Sequence, residues 1–485
     1  MGNTQTTGVG PMSGNQADAG AVKKVQTPPF LPKFAKATVF PNTEILGEKI
    51  FTYLLQVTRG TSFTNLPEQN FISAVDNLMQ PTTNYDVIYF YCMLFARDRV
   101  KLIMFANDFQ KLMELCYEVT VGVGKSMDDS EESVLQAFTD SVFGQKTELN
   151  IGALSKWISR SCPRIFQSLT RHIIDRVCTS YSSNSAVHDA VPSSGKSKRW
   201  LKCCRSKRKS RSRASKMKSV QNSSPAETPM CKNPDGSIGL YAGFDFRIPT
   251  CFTSTADMKK VISAMDVWLV SSALPDIYLC SAHTVVRHRN PKHKGTYNFF
   301  AEQLIALKIP KQWHVLYNSI EHGTAMNRFL FHVMRYRGPT VLLIICETDR
   351  LCIAVDEEWR DGPIFWGRDE SLVLSLTPTY GLVCSGKKIV CFNTKTRGIP
   401  LGLTLGPDPR TPMVRVDKTW TTMEKNKIPS TIRRVVVFGT ASIDVLEGQR
   451  KLQLAQERFA ENRRKVESRN RQDEYDVDRV IMEME

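Results

Sequence analysis

The chemistry easiest to name lies at the start of the chain. Met1-Gly2-Asn3-Thr4-Gln5-Thr6 exposes a glycine amine once methionine is removed and places a hydroxyl residue at the sixth position, the pattern for N-myristoylation of Gly2. One myristoyl chain holds a protein to a bilayer only marginally, with a partition constant of ~10⁴ M⁻¹, so durable attachment needs a second signal. Residues 195–218, GKSKRWLKCCRSKRKSRSRASKMK, carry 12 Lys or Arg and no acid. Each basic side chain near an anionic leaflet contributes about 1 kcal/mol. The expected membrane-binding residues are Lys198, Arg199, Trp200, Lys202, Arg205, Lys207, Arg208 and Lys209, and Cys203 and Cys204 are placed to accept palmitate beside them. Ser206, Ser210, Ser212 and Ser215 lie inside the run, so phosphorylation there would cancel charge and loosen the contact. Two other readings stay open: a nuclear-localisation or RNA-binding patch, and a solvated linker with no partner. Trp200 is the only aromatic in the run able to stack on a base, which weighs against nucleic acid.

Other reactive residues read as structural. Cys346, Cys352, Cys384 and Cys391 sit in apolar strand patterns, where a free thiol behaves as a small buried hydrophobe, and they lack the paired short spacings of a zinc site. His322-Gly323 beside Glu321 is expected to form a turn, because chain neighbours do not face one another as an acid/base pair would. Met127 to Glu132 clusters carboxylates but lacks the alternating ligands, central glycine and twelfth-position Glu of a calcium loop. It reads instead as a helix start capped by Asp or Ser. Asp356-Glu357-Glu358-Trp359 is either a contact surface, with Glu358 and Trp359 binding a partner, or a solvated loop. With no nucleophile elbow, P-loop or GxGxxG motif, the expectation is a protein that is not an enzyme and needs no cofactor or metal; the alternative is an oxidation-resistance factor, a redox enzyme working through cysteines such as Cys346 and Cys384.

These sites need elements to position them. The 485 residues are 41% hydrophobic and 23% charged, enough to bury cores in several domains. The net charge is +17, and about +5 without the basic run, so basicity belongs to a segment. Thirteen scattered cysteines and no signal-peptide pattern suit a reducing cytosolic compartment. The longest apolar runs, such as Val341 to Cys346, fall far short of the ~18 residues of a membrane span.

The expected order is a disordered myristoylated tether (1–36), a helical domain (37–185), a disordered polybasic linker (186–235), a sheet-rich domain (236–445) and a C-terminal helix and tail (446–485). Helical stripes are Leu46, Ile50, Tyr53, Leu54 and Val57; Leu102, Phe105, Phe109, Leu112 and Cys116; and Ile165, Leu169, Ile173 and Val177. After the linker the period shortens. A helix is predicted from about Ala325 to Arg335, with strands at Thr340–Ile345, Leu351–Val355, Ser371–Leu376 and Arg434–Phe438. Gly381–Cys384 and Lys388–Phe392 are predicted to form a hairpin about Ser385-Gly386. From Val445 to Arg471 a charged helix spaces Val445, Leu452, Phe459 and Val466 seven apart, a seam narrow enough for a partner helix, with Leu452, Phe459 and Val466 as contacts. The alternatives for that helix are docking on its own domain or standing in solvent. The fold class is α+β.

The sheet-rich half resembles a known family. Leu316-Tyr317-Asn318-Ser319, His322-Gly323 and Arg337-Gly338-Pro339-Thr340-Val341-Leu342-Leu343-Ile344 look like the opening of a TLDc domain. Trp359, Phe365-Trp366-Gly367, Glu370-Ser371 and Leu374-Ser375-Leu376-Thr377-Pro378 are similar to its central block, and Arg434 to Gly439 to its closing strand. The resemblance covers about residues 250–445. It departs from the family pattern at Gly398-Ile399-Pro400-Leu401-Gly402 and Pro407-Asp408-Pro409. The order of parts resembles the N-myristoylated, lysosomal, mTOR-associated (eak-type) subgroup, with a degenerate EF-hand-like helical region. That resemblance implies a non-enzymatic adaptor on the cytoplasmic face of lysosomal membranes, and also in cytosol, whose partners are anionic lipid, the V-ATPase and the mTOR machinery. The C-terminal helix would be the element that grips the V-ATPase.

Overall fold

The computed structural model describes residues 40, 43–57, 83–97, 100–122, 127–173, 176, 249, 251–281, 308–398, 400–408 and 410–484. Gly2, Cys203, Cys204 and the membrane-binding positions from Lys198 to Lys209 lie outside them. No described helix is long and apolar enough to cross a membrane.

The helical half contains α1 (Glu44–Val57), α2 (Asn84–Phe95), β1 (Ile103–Phe105), α3 (Ala106–Val121), α4 (Asp129–Phe143), β2 (Glu148–Asn150) and α5 (Ile151–Ser161). Helix α2 is apolar on almost every side, burying Ile88, Phe90, Tyr91, Cys92, Leu94 and Phe95, and so forms the centre of the bundle. It begins in a capping box, with Thr83 accepting from the Asp86 amide and Asp86 from the Thr83 amide. Strands β1 and β2 pair antiparallel with Met104 opposite Leu149, which sets α2–β1–α3 beside α4–β2–α5. The predicted stripe from Leu102 to Cys116 is corrected here. Only Phe109, Leu112 and Cys116 lie on a helix; Leu102 has φ +54° and Phe105 ends β1, because pairing with Glu148–Asn150 overrides the local helical pattern. The carboxylates at 128–132 do start a helix: Asp128 is the N-cap of α4 and Glu131 reaches back to its amide.

In the second half, α6 (Ala264–Ala273) is followed by β3 (Cys280–Ser281), β4 (Lys308–Ile309), β5 (His314–Asn318), α7 (Ser319–His322) and α8 (Met326–Val333). Then come β6 (Thr340–Cys346), β7 (Arg350–Val355), β8 (Leu372–Thr377), β9 (Gly381–Ser385), β10 (Val390–Asn393), β11 (Gly402–Leu405), β12 (Val414–Val416), β13 (Thr422–Lys425), β14 (Ile428–Gly439) and α9 (Ile443–Met484). All ladders are antiparallel, in the order β10-β11-β12-β13-β14-β6-β7-β8-β9, with β5 also on β14. The 12-residue β14 serves two leaves: residues 428–431 pair with β13 and 432–439 with β6, across an irregularity between Ile432 and Arg434.

Alternation along the strands gives the β6–β7–β8 leaf two buried faces. Leu342, Ile344, Leu351, Ile353, Val355 and Val373 share a core with Leu403, Leu405, Val414 and Met423 of the second leaf. Val341, Leu343, Cys352, Ala354, Leu372 and Leu374 instead join the core of the helical half. The predicted hairpin about Ser385-Gly386 is a second correction. Strand β9 pairs with β8 and β10 with β11, at opposite ends of the strand order, and the intervening residues bond to the 366–371 loop through Gly386 N to Ser371 O and Lys388 N to Gly367 O. Short sequence separation suggested a turn, but Trp366 and Gly367 compete for the same backbone groups.

Candidate interaction surface

Three carboxylates in a row after β7 behave differently because each finds different donors. Asp356 accepts from the Arg368 amide (2.9 Å), the Glu370 amide (3.0 Å) and the Ser371 hydroxyl (2.6 Å). Glu357 accepts from the Gly367 amide (2.6 Å) and pairs with Arg360 (2.7 Å). These two fold residues 357–371 back over the sheet, and Gly367, at φ +110°, makes the reversal possible. Tyr278 fastens the same loop to the segment before β3 by donating to the Glu370 carbonyl (2.9 Å).

Trp359 is therefore not the surface residue expected. It is 2% exposed, its indole N–H donates to Thr340 Oγ1 (2.8 Å), and it packs edge-on against Phe329, Trp366 and Phe392. A large aromatic two positions from a buried clamp turns inward, where its area removes most from water. Glu358 points the other way, half-exposed and 3.9 Å from Arg337.

The nucleophile candidates lie in apolar surroundings. Burial pushes the Cys346 and Cys384 thiols up to about 11 and also raises Cys352 and Cys391, opposite to the shift that makes a reactive thiolate. His322 ends α7 before Gly323, at φ +78°, and its Nδ1 accepts from the Asn318 amide (3.0 Å) while Glu321 accepts from the Asn318 side chain. The imidazole packs against His332 with centroids 3.9 Å apart and the rings tilted by 32°, and burial, then His322 and Arg328, hold the His332 pKa below its ordinary value. Glu321 and His322 each bond to Asn318, and no bond between the two is formed.

The terminal helix is positioned by one tight corner. A Cβ on Gly439 would lie 2.5 Å from the Tyr336 ring, so only glycine lets β14 pass there, and the Tyr336 hydroxyl accepts from the Ala441 amide (2.9 Å). Leu446 and Gln449 are buried at 5% and 3%. The Gln449 amide donates to the carbonyls of His332 (2.8 Å) and Met334 (3.1 Å), and Gln453 donates to that of Phe331 (3.0 Å). Two glutamines one helical turn apart thus satisfy the orphan carbonyls at the end of α8. Sequence reasoning missed both. Their four-residue spacing beside the apolar seam was the available signal.

Beyond these turns the helix leaves its own domain. Phe459 and Val466 are 72% and 55% exposed, and every described side chain from Glu457 onward is exposed, whereas Leu452, at 40%, lies within the docked stretch. A cleft of about 230 Å³ lies between α8 and α9, lined by Leu330, Phe331, Met334, Leu452 and Gln453 among others. The helix both docks on its own domain and stands in solvent, along different stretches. It also runs past the predicted end at Arg471 to Met484, since nothing after Gly448 breaks it.

Residues 294–435 match the family profile of the TLDc domain, so the strand-rich half carries a TLDc domain. The matched stretch includes β4 to β13 and most of β14, with the carboxylate clamp, Trp359 and α8; α9 lies after it. No curated protein matches the chain.

Proposed function

We propose that this chain is a non-enzymatic adaptor, tethered through Gly2 and its basic segment to the cytoplasmic face of a membrane, that recruits a protein through its TLDc domain and terminal helix. The observation that carries the reading is α9, anchored at one end by Gln449 and Gln453 and presenting Phe459 and Val466 to solvent. An exposed apolar stripe on a rigid element is what helix-in-groove recognition uses. The raised thiols of Cys346 and Cys384 favour adaptor over redox enzyme. Resemblance to the eak-type subgroup suggests the lysosome as the site, with the V-ATPase and mTOR signalling as the context.

In this reading the helical half is a degenerate EF-hand-like pair. Counting Arg97 as the first loop position puts Leu102, at φ +54°, sixth and Asp108 twelfth, where a working loop has glycine and a bidentate acid. Arg97 and Asp108 pair directly at 3.2 Å, so a side-chain guanidinium supplies the positive charge that a calcium ion would bring.

Cell fractionation tests the tether. Gly2→Ala is expected to move the protein from membrane to soluble fractions, and unchanged sedimentation with membranes would overturn the tether while leaving the protein-binding half to be tested with Phe459→Ser.

A further inference from the structure

The terminal helix carries a charge pattern that neither docking on its own domain nor partner recruitment uses. Residues 458–471 hold six Lys or Arg and two acids, a net +4, whereas residues 472–485 hold six acids and one Arg, a net −5. The helix is continuous across the boundary, from Ile443 to Met484. Two blocks of opposite sign thus lie along one rod, which runs to Met484 and projects roughly 40 Å beyond Glu457 at about 1.5 Å per residue.

This arrangement is costly for a lone helix. Acids at the C-terminal end face the negative pole of the helix dipole, and no basic residue occupies the last turn. Among the described side chains, the intrahelical pairs past Glu457 are exposed contacts, Glu461 with Lys465 (2.8 Å) and Arg463 with Glu467 (2.9 Å), which solvent screens. Phe459 and Val466 add apolar surface with nothing over it.

We propose that α9 self-associates, a second copy of the chain running antiparallel along residues 458–484 about a two-fold axis near residue 471. In that register the +4 block of each copy lies along the −5 block of the other, twice over, and cations of one chain approach the negative pole of its partner. Positions 459 and 466 fall opposite positions 484 and 477, which are Phe and Val against Met and Val. A parallel pair would instead set like charge against like. The contact uses only residues past the stretch docked through Gln449 and Gln453, so the TLDc domains need not move. It needs no lipid and stands apart from the membrane reading, but it takes a second copy of the chain as the occupant of Phe459 and Val466, so a groove-binding partner at that face would have to compete with it.

Sedimentation equilibrium of the unacylated full chain is the test. The wild type should be a dimer at roughly 0.05 M salt, with a dissociation constant rising at least about tenfold by roughly 0.5 M. Arg463→Glu/Arg464→Glu/Lys465→Glu and Asp473→Lys/Glu474→Lys/Asp476→Lys should each be monomeric, with unchanged far-ultraviolet circular dichroism. Their equimolar mixture should form the heterodimer, since one chain is then acidic and the other basic along the whole seam. A wild type that is monomeric at low salt, an association that strengthens with salt, or triple variants that still self-associate would each overturn the proposal.

Discussion

The β6–β7–β8 leaf is buried on both faces, but the two faces are held by different chemistry. Toward the second leaf the interior is aromatic: Phe329, Trp359, Phe392 and Trp420 contact one another in a chain, all nearly inaccessible. Toward the helices, apolar packing is interrupted by polar fastenings. Arg350 of β7 binds Asp266 of α6 (3.1 Å) and the Ser130 hydroxyl of α4 (2.8 Å), and the Tyr380 amide donates to Ser141 (2.7 Å) while its ring meets Phe138 edge-on. The aromatic face gains chiefly from burial and sets how firmly the leaves close. Directional bonds add little net energy but fix one angle between helical half and sheet. The difference teaches that the TLDc sandwich carries its own core, and that the helical half is registered on it by a few named bonds.

The largest break should come from the aromatic face. Trp359→Ala removes a buried indole and leaves Thr340 Oγ1 without its donor, so urea denaturation should show a loss of about 3–5 kcal/mol. Destabilisation below about 1 kcal/mol would place Trp359 outside the core.

Arg350→Met probes the other face at a smaller scale. Asp266, whose side chain is 4% exposed, would lose its partner, for an expected loss of about 2–3 kcal/mol, discounted because the Arg350 side chain is 20% exposed. Combining it with Asp266→Leu should recover most of the loss, since the penalty comes from a buried charge left alone. If the double variant is as unstable as the single, Arg350 matters through packing and the contrast between the faces weakens.

Smallest is Gln449→Ala, which withdraws two hydrogen bonds from the end of α8. Stability should fall by about 1 kcal/mol, and hydrogen exchange should quicken at residues 331–334 and 443–453 but not within the sandwich. Uniform quickening would mean that α9 is part of the core.

Much of the architecture was legible beforehand. Continuous apolar runs marked β6 and β7 because strands covered on both faces need no polar alternation, and Asp128 with Glu131 declared the start of α4. The failures share one cause. Leu102–Phe105 looked helical, yet bonds to 148–150 far along the chain; 381–392 looked like a hairpin, yet β9 pairs back onto β8 while Gly386 and Lys388 bond to the 366–371 loop. Trp359 looked exposed beside three acids because nothing local reveals that Asp356 and Glu357 are consumed by amides ten or more residues on.

What the sequence determined by itself was therefore whatever depends on neighbours along the chain: helix periodicity, caps, the Gly2 pattern, the basic run and the charge blocks of the last helix. Tertiary structure alone decided which strand met which, which of Glu358 and Trp359 faced water, and where α9 parted from its domain. Those outcomes rest on competition for hydrogen-bond partners and buried area between residues far apart, and a linear pattern carries no record of who wins it.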